Sequence, residues 1–315
     1  MAQSHARLEE VDKVWSTIRS EAEDVADREP LMASIAHSGV LHHRTRSQAL
    51  SYRIAAKLAS SEMPAQILRE TVDDAHADDP CIVASARADI LAVYERDPAC
   101  HRLIQPLLFF KGFQAIQCYR IANWLWSHGR ADMAYYFQMR TSEVFGVDIH
   151  PGARMGRGVM IDHAHSIVIG ETALVGDNVS MLHSVTLGGT GKEDGDRHPK
   201  IEHGVLIGAG AAVLGNITVG HCSRIAAGSV VLKDVPHCVT VAGGGHARPS
   251  CSDGYGGTPL VVLPVCSSRC DSSSDPVPGC TFASANRSAS DRDTLRYGNP
   301  YQPQPPRFHI RSWLR

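Results

Sequence analysis

No apolar run in the chain approaches the ~20 residues that a membrane-spanning helix requires, and Met1–Val11 lacks the apolar core of a secretory signal. Neither a membrane partner nor export is therefore expected. No block of Lys or Arg occurs, and the formal net charge over 315 residues is -2. That argues against a general nucleic-acid-binding surface. None of the nine cysteines forms a Cys-x-x-Cys pair. With an odd count and no secretory signal, the composition predicts free thiols in a cytoplasmic protein. Cys266, Cys270 and Cys280 lack the paired spacing of common zinc sites, and a metal site there is the weaker reading.

What the chain does have is a beat of six. Apolar residues recur at Ile149, Met155 and Ile161. The register slips by two and resumes at Ile169, Val175, Met181 and Leu187. Residues 188–200 interrupt it, and it returns at Ile201, Ile207, Val213, Val219, Ile225 and Val231. Helices repeat near 3.6 and strands near 2, so a sustained six fits neither alone. It fits a hexapeptide solenoid, in which short strands end at tight corners and the beat residue points into a prism.

Three segments follow. Residues 1–146 read as helical: Val14, Trp15, Ile18, Ala22 and Val25 form one stripe, and Ser47 is a candidate cap for a helix holding Ala49, Leu50, Ile54, Ala55 and Leu58. Pro64 and Pro80 suit helix starts. Leu107–Trp126 is apolar but carries Lys111, Gln114, Gln117, Arg120 and Asn123, which predicts an amphipathic helix buried against protein. A further helix is expected over Asp132–Phe145. Residues 147–242 are the β-helix, whose N-terminal end the helices could cap. Residues 243–315 turn to Ser, Pro, Gly and Cys and are expected to be disordered.

Two glycine-rich stretches fail as nucleotide loops. In Thr186–Glu193, Thr186 replaces the first glycine of a P-loop and Glu193 its Ser/Thr; after Gly208-Ala209-Gly210, Val213 replaces a third glycine and no helix is expected. Both suit β-helix corners or an extruded loop. Asp148-Ile149-His150-Pro151 and Asp162-His163-Ala164-His165 lie about one coil apart. If paired in space, His163 and Asp148 would make a general base and its orienting carboxylate; equally, they would suit solvent-facing corners. The loop Asp196-Arg197-His198-Pro199-Lys200 offers an arginine able to bind a carboxylate, or is simply solvated. Asp97, before Pro98, reads as a turn former.

The chain resembles the serine O-acetyltransferases over roughly residues 10–242. The resemblance lies in Glu29-Pro30-Leu31, Ala49-Leu50-Ser51-Tyr52, Arg96-Asp97-Pro98-Ala99 and Leu108–Phe113 of the helical part. In the solenoid it lies in Asp148–Pro151, Asp162-His163-Ala164, Ile169–Thr172, Ser184–Lys192, Asp196–Lys200 and Gly208–Ala211. It implies an α+β architecture: an all-helical domain, then a left-handed parallel β-helix, assembled as trimers or pairs of trimers through the helical domains. It also implies acetyl transfer from acetyl-CoA to the hydroxyl of L-serine, the first step of cysteine biosynthesis, with feedback inhibition by cysteine. By match, His163 is the base and Asp148 its partner. Asp97 and Asp162 hold the serine ammonium and Arg197 its carboxylate, while His198 and Glu171 line the pocket. Acetyl-CoA lies along Gly189, Thr190, Ala209 and Ala227, and neither a metal nor a redox cofactor is implied.

The resemblance fails after Ala242, where Gly243-Gly244-Gly245-His246-Ala247-Arg248 stands in place of a G-V-P-A-R-type turn. The family's C-terminal peptide, which ends in isoleucine and enters O-acetylserine sulfhydrylase, has no match in Trp313-Leu314-Arg315; this weighs against that partner. Alternatives are a β-helix acyltransferase for a sugar, antibiotic or homoserine, a non-catalytic scaffold, and a γ-type carbonic anhydrase using His150, His163, His165 and His183 for zinc.

Overall fold

A computed structural model of the chain describes residues 12–192, 194–243 and, for the backbone alone, 261–264. Within them, α1 (Lys13–Arg28) starts at Asp12, whose carboxylate accepts from the Trp15 amide, and it buries the predicted stripe. The short α2 (Ala33–Ala36) runs into a π turn, His37–Leu41. Helix α3 (Arg46–Leu58) is capped by Thr45, not by Ser47. A capping box needs a hydroxyl with Gln or Glu three residues on, which Thr45 and Gln48 supply and Ser47 and Leu50 do not. Ser47 instead meets His76 Nδ1 at 3.0 Å. Prolines open the next two helices as expected, with Pro64 before α4 (Ala65–Asp78) and Pro80 first in α5 (Pro80–Arg96). There follow α6 (Ile104–Leu108), α7 (Lys111–Ser127) and α8 (Ala131–Phe145).

Helix α7 departs from the amphipathic expectation. Gly112 through Ala122 are all buried, including Gln114, Gln117 and Arg120. The polar side chains are tolerated inside because each has a partner: Gln114 donates to the Leu107 carbonyl, and Gln117 and Arg120 donate to Asp89.

From Val147 the chain climbs a three-sided prism. Face A stacks β1 (Val147–Ile149), β4 (Ile167–Ile169), β7 (Thr186–Gly188), β10 (Ala212–Leu214) and β13 (Val230–Val231). Face B stacks β2 (Arg154–Met155), β5 (Leu174–Val175), β8 (Lys200–Ile201) and β11 (Thr218–Val219). Face C stacks β3 (Met160–Ile161), β6 (Ser180–Met181), β9 (Leu206–Ile207), β12 (Arg224–Ile225) and β14 (Val239–Ala242). The rungs are parallel, and the beat residues pair with one another, as in Ile149 with Ile169, Met155 with Val175 and Ile161 with Met181. All are buried and form one core with α7 and α8.

An antiparallel strand, β15 (Val261–Pro264), extends face C from β14, in a segment where no strand is expected. The rest of the tail, with Cys266, Cys270 and Cys280, lies outside the described residues. Cys100 and Cys118 are buried thiols, whereas Cys81 is disulfide-bonded, contrary to the expectation of free thiols throughout. Among the described residues no helix is long and apolar enough to cross a membrane.

The first coil has no rung below it, so its outward backbone groups need other partners. The helices supply them. Tyr119 Oη donates to the Ala153 carbonyl at 2.6 Å, Asn123 Nδ2 to those of Pro151 and Ala153, and Arg96 to that of Gly158. Arg120 donates to the Gly156 carbonyl, while the Val159 amide donates to Asp89 at 2.9 Å. Asp89 and Arg120 are 0% and 7% exposed and pair at 2.8 Å. Removing one partner strands the other in the interior, so Asp89→Ala is expected to destabilise the protein by about 3–5 kcal/mol. Urea denaturation checks this, and Asp89→Leu with Arg120→Met should lose less than the single change. Gly112 is as tight: an added Cβ would lie 2.0 Å from the Ile161 carbonyl oxygen. Gly112→Ala is therefore expected to force α7 off the first coil, lowering the melting temperature and activity together.

Candidate active site

At the edge where face C turns into face A, the first corner is longer than those above it. Ile161 to Ile169 spans eight residues, whereas Met181 to Leu187, the pair stacked on them, spans six. The slip of two in the sequence beat is this corner. His163, Ala164 and Ser166 all have left-handed backbones, with φ of 57°, 47° and 55°. Single residues of this kind occur at other corners, such as Asn178 and Cys222. Three within four positions is a concentration of strain, about 1–3 kcal/mol each, of the sort that marks functional loops. The helices hold it in place: Ala164 is fully buried beside Gly112, and Lys111 Nζ donates to His165 Nδ1 at 2.7 Å.

The corner faces a cavity of about 540 Å³ lined by Asp97, Phe110, Lys111, Met160, Asp162 and His163, among others. The His163 side chain is 70% exposed, with its Nε2 3.5 Å from Asp162 Oδ2. Asp97 ends α5, and its carboxylate accepts from the Ala99 amide. So Asp97, Asp162 and His163, distant in sequence, share one pocket of mixed charge with an apolar wall. Lys111 and the wall of Phe110 and Met160 were not among the predicted site residues. Phe110 and Lys111 do fall within Leu108–Phe113, one of the stretches that carry the resemblance.

Above His163 the same edge carries His183, then Ala209, then Ala227, each two residues past the stacked Ile161, Met181, Ile207 and Ile225. Backbone bonds tie the column together: the Gly210 amide donates to the His183 carbonyl and the Gly228 amide to the Ala209 carbonyl. From Ala209 upward the edge is small side chains, and a Cβ at Gly228 would meet nothing within 4 Å. Such an open strip suits an extended chain lying against backbone.

The edge between faces A and B carries a second cluster. Arg197 Nη2 donates to Glu171 Oε2 at 2.8 Å. His198 is buried, and its Nδ1 accepts from the Thr172 amide and lies 2.9 Å from Thr172 Oγ1. Gly170 is needed beneath it, since a Cβ there would lie 2.0 Å from the ring. Burial first, and then the charge of Arg197, pushes the His198 pKa down from its ordinary value; burial also lowers that of His150. Both are held neutral near pH 7, and the bond to Nδ1 puts the His198 proton on Nε2. Gly189 and Thr190 belong to this edge: Gly189 lies against Arg197 and Thr190 against Gly215. Thr172, which positions His198, was not predicted.

Asp148 stands apart from His163 within the chain. It projects from face A, accepts from Gln138 Nε2 at 2.6 Å, and lines a separate pocket of about 410 Å³ with Tyr135 and Glu143. Among the described residues, no group of three or more His, Cys, Asp or Glu is arranged to hold a metal ion.

Residues 14–118 match the family described as "Serine acetyltransferase, N-terminal", and residues 198–233 match "Bacterial transferase hexapeptide (six repeats)". The serine acetyltransferase of Salmonella typhimurium is 55% identical over 235 residues, 75% of this chain and 86% of that protein. A crystal structure of serine acetyltransferase from Brucella abortus in complex with coenzyme A superposes with a TM-score of 0.76 at 50% identity, covering 82% of this chain and 98% of that one. A serine acetyltransferase in complex with cysteine gives 0.74 at 48% identity, covering 80% and 98%. The chain belongs to the serine acetyltransferase family.

Proposed function

We propose that the chain transfers the acetyl group of acetyl-CoA to the hydroxyl of L-serine at a site completed by two copies of the chain, with His163 as general base. The observation that carries this is a double division. The acceptor-binding set is split between the C/A edge (Asp97, Asp162, His163) and the A/B edge (Glu171, Arg197, His198). The set for acetyl-CoA is split between the same two edges, with Ala209 and Ala227 on one and Gly189 and Thr190 on the other. Apposing the C/A edge of one prism to the A/B edge of the next completes both at once. A head-to-tail contact of this kind closes into a ring, for which a trimer is the natural size with a three-sided prism.

In the assembled site, Asp97 and Asp162 take the ammonium of serine, and Arg197 with the Nε2–H of neutral His198 takes its carboxylate. That places the hydroxyl beside the exposed His163 imidazole. Serine's hydroxyl is a weak nucleophile until its proton is removed. His163 takes that proton as the oxygen bonds to the thioester carbon. When the carbon–sulfur bond breaks, the imidazolium returns the proton to the departing thiolate. Asp148 reaches the His163 imidazole only in the assembled site, where it fixes the tautomer. Cysteine carries the same ammonium and carboxylate handles and is the corresponding competitor for serine.

A positioned base contributes ~10²–10⁴-fold, so His163→Ala should lower kcat by that order with the melting temperature unchanged. Thiol release from acetyl-CoA, with L-serine set against homoserine, glucosamine and no acceptor, tests both base and substrate; an unimpaired His163→Ala enzyme removes the assignment. The two-copy site has its own test. His163→Ala and Arg197→Ala should each be inactive, but co-assembled at random they should recover about one quarter of wild-type sites, since one intact edge from each then meets. Mixtures that stay inactive would mean that each chain holds its whole site. Arg197→Lys should raise KM for serine and weaken inhibition by cysteine together, because both lose the planar fork that grips a carboxylate.

A further inference from the structure

We infer that His165 is a positioning residue for acceptor binding: it holds the Lys111 ammonium away from the carboxylates of Asp97 and Asp162 and so keeps their subsite open for the ammonium of serine. The inference rests on the acetyl-transfer reading above. It begins from a conflict of charge. A subsite made of two carboxylates is suited to one cation, and Lys111 lines the same pocket of about 540 Å³ as Asp97 and Asp162. Lysine carries a compact charge on a flexible four-carbon stem, so the protein's own ammonium is a competitor within the site. Yet among the described residues Lys111 forms no ion pair. Its side chain has one polar partner there, His165 Nδ1 at 2.7 Å. Asp162 instead lies 3.5 Å from His163 Nε2, and Asp97 accepts from the Ala99 amide.

The direction of the bond follows from the chemistry of its ends. An ammonium only donates, so His165 presents the lone pair of Nδ1 and carries its proton on Nε2. Lys111 belongs to the pocket lining and His165 does not, so the bond draws the ammonium away from the carboxylates. The acceptor stands on fixed backbone. The His165 carbonyl accepts from the Ser184 amide at 2.6 Å, and its neighbour Ala164 is buried against Gly112. The lysine stem is the movable partner. An exposed bond of this kind adds little to stability. It matters here because it decides between two placements of one charge. A ligand that binds only when its subsite is open loses apparent affinity in proportion to the fraction of sites that are closed.

Initial rates with L-serine and acetyl-CoA varied in turn compare full-length wild type, His165→Ala, His165→Asn and the double variant His165→Ala with Lys111→Met. His165→Ala frees the lysine and is expected to raise KM for L-serine about threefold to tenfold. The melting temperature, kcat and KM for acetyl-CoA should stay near wild type, because Ala164 and the Ser184 amide still hold the corner; a rise in KM at constant kcat marks lost ground-state binding. His165→Asn, whose Oδ1 stands where Nδ1 stood, should keep KM for L-serine within about twofold of wild type. The double variant should return to the same range, since the competitor is gone with its tether. The inference is overturned if His165→Ala leaves KM for L-serine within about twofold of wild type, or if Asn serves no better than Ala. It is equally overturned if the double variant keeps the raised KM or if kcat falls in step with it, since either result places the effect on the corner and not on Lys111. Wild-type enzyme that leaves L-serine unacetylated would instead displace the acetyl-transfer reading, a result that none of the variants is needed to obtain.

Discussion

The carboxylate of Asp89 is fully buried where α5, α7 and the first coil of the prism meet, and it accepts from Gln117, Arg120 and the Val159 amide. Arg120 in turn donates to the Gly156 carbonyl. A buried pair is in itself a weak source of stability, because desolvation offsets its attraction. Here it answers a need that apolar packing cannot meet. A β-helix satisfies its backbone only by stacking, so the lowest coil exposes a ring of donors and acceptors. Apolar helices laid on that ring would bury those groups unpaired. Arg96, Tyr119, Arg120, Asn123 and Asp89 are spaced along α5 and α7 to reach them one by one. The helical domain is thus attached at a defined register, not merely pressed on.

That register carries through to the chemistry. Gly112 sits at the start of α7 in contact with the Ile161 carbonyl, two residues before His163. Asp97 ends α5, one residue after the Arg96 that binds the second corner at Gly158 and Asn178. The groups that close the prism therefore also set His163 and Asp97 in a common pocket. The strained corner from Asp162 to Ser166 is held from below by the same helices, through Ala164 and Lys111. A free corner of six residues would not need three left-handed backbones; an eight-residue corner clamped at both ends can hold them.

Much of this was legible in the sequence, and the parts that were not share a cause. The beat gave the core residues, and the slip between Ile161 and Ile169 located the irregular corner, since a period of six leaves little freedom for where apolar side chains go. Periodicity says nothing of which of three edges a corner residue occupies. Hence Asp148 and His163, one coil apart in sequence, lie on face A and at the C/A edge, and the likeness of their spacing did not reveal it. The polar residues of α7 were misjudged for a related reason. Gln117 and Arg120 follow an amphipathic pattern, but their partners come from α5 and the prism, far away in sequence. Arg197 and Glu171 sit 26 positions apart, and only the stacking of Gly170–Thr172 on the extruded loop joins them.

The division of the site between two edges that we propose has a physical logic. A solenoid is stiff along its axis and nearly identical from rung to rung, so a single edge offers a straight strip but no enclosing cavity. Enclosure must come from elsewhere. The helical cap encloses the lower end, where Asp97 and Phe110 face His163. Among the described residues, nothing on the C/A edge encloses the strip above it at Ala209 and Ala227, where a Cβ at Gly228 would meet open space. The eight additional residues between Leu187 and Ile201 leave the prism at the A/B edge, carrying Gly189, Thr190 and Arg197 outward. A loop that projects from one edge and a strip left bare on another are complementary only between copies. In the proposed two-copy site, water is excluded from the thioester by assembly, without requiring the prism itself to bend or open.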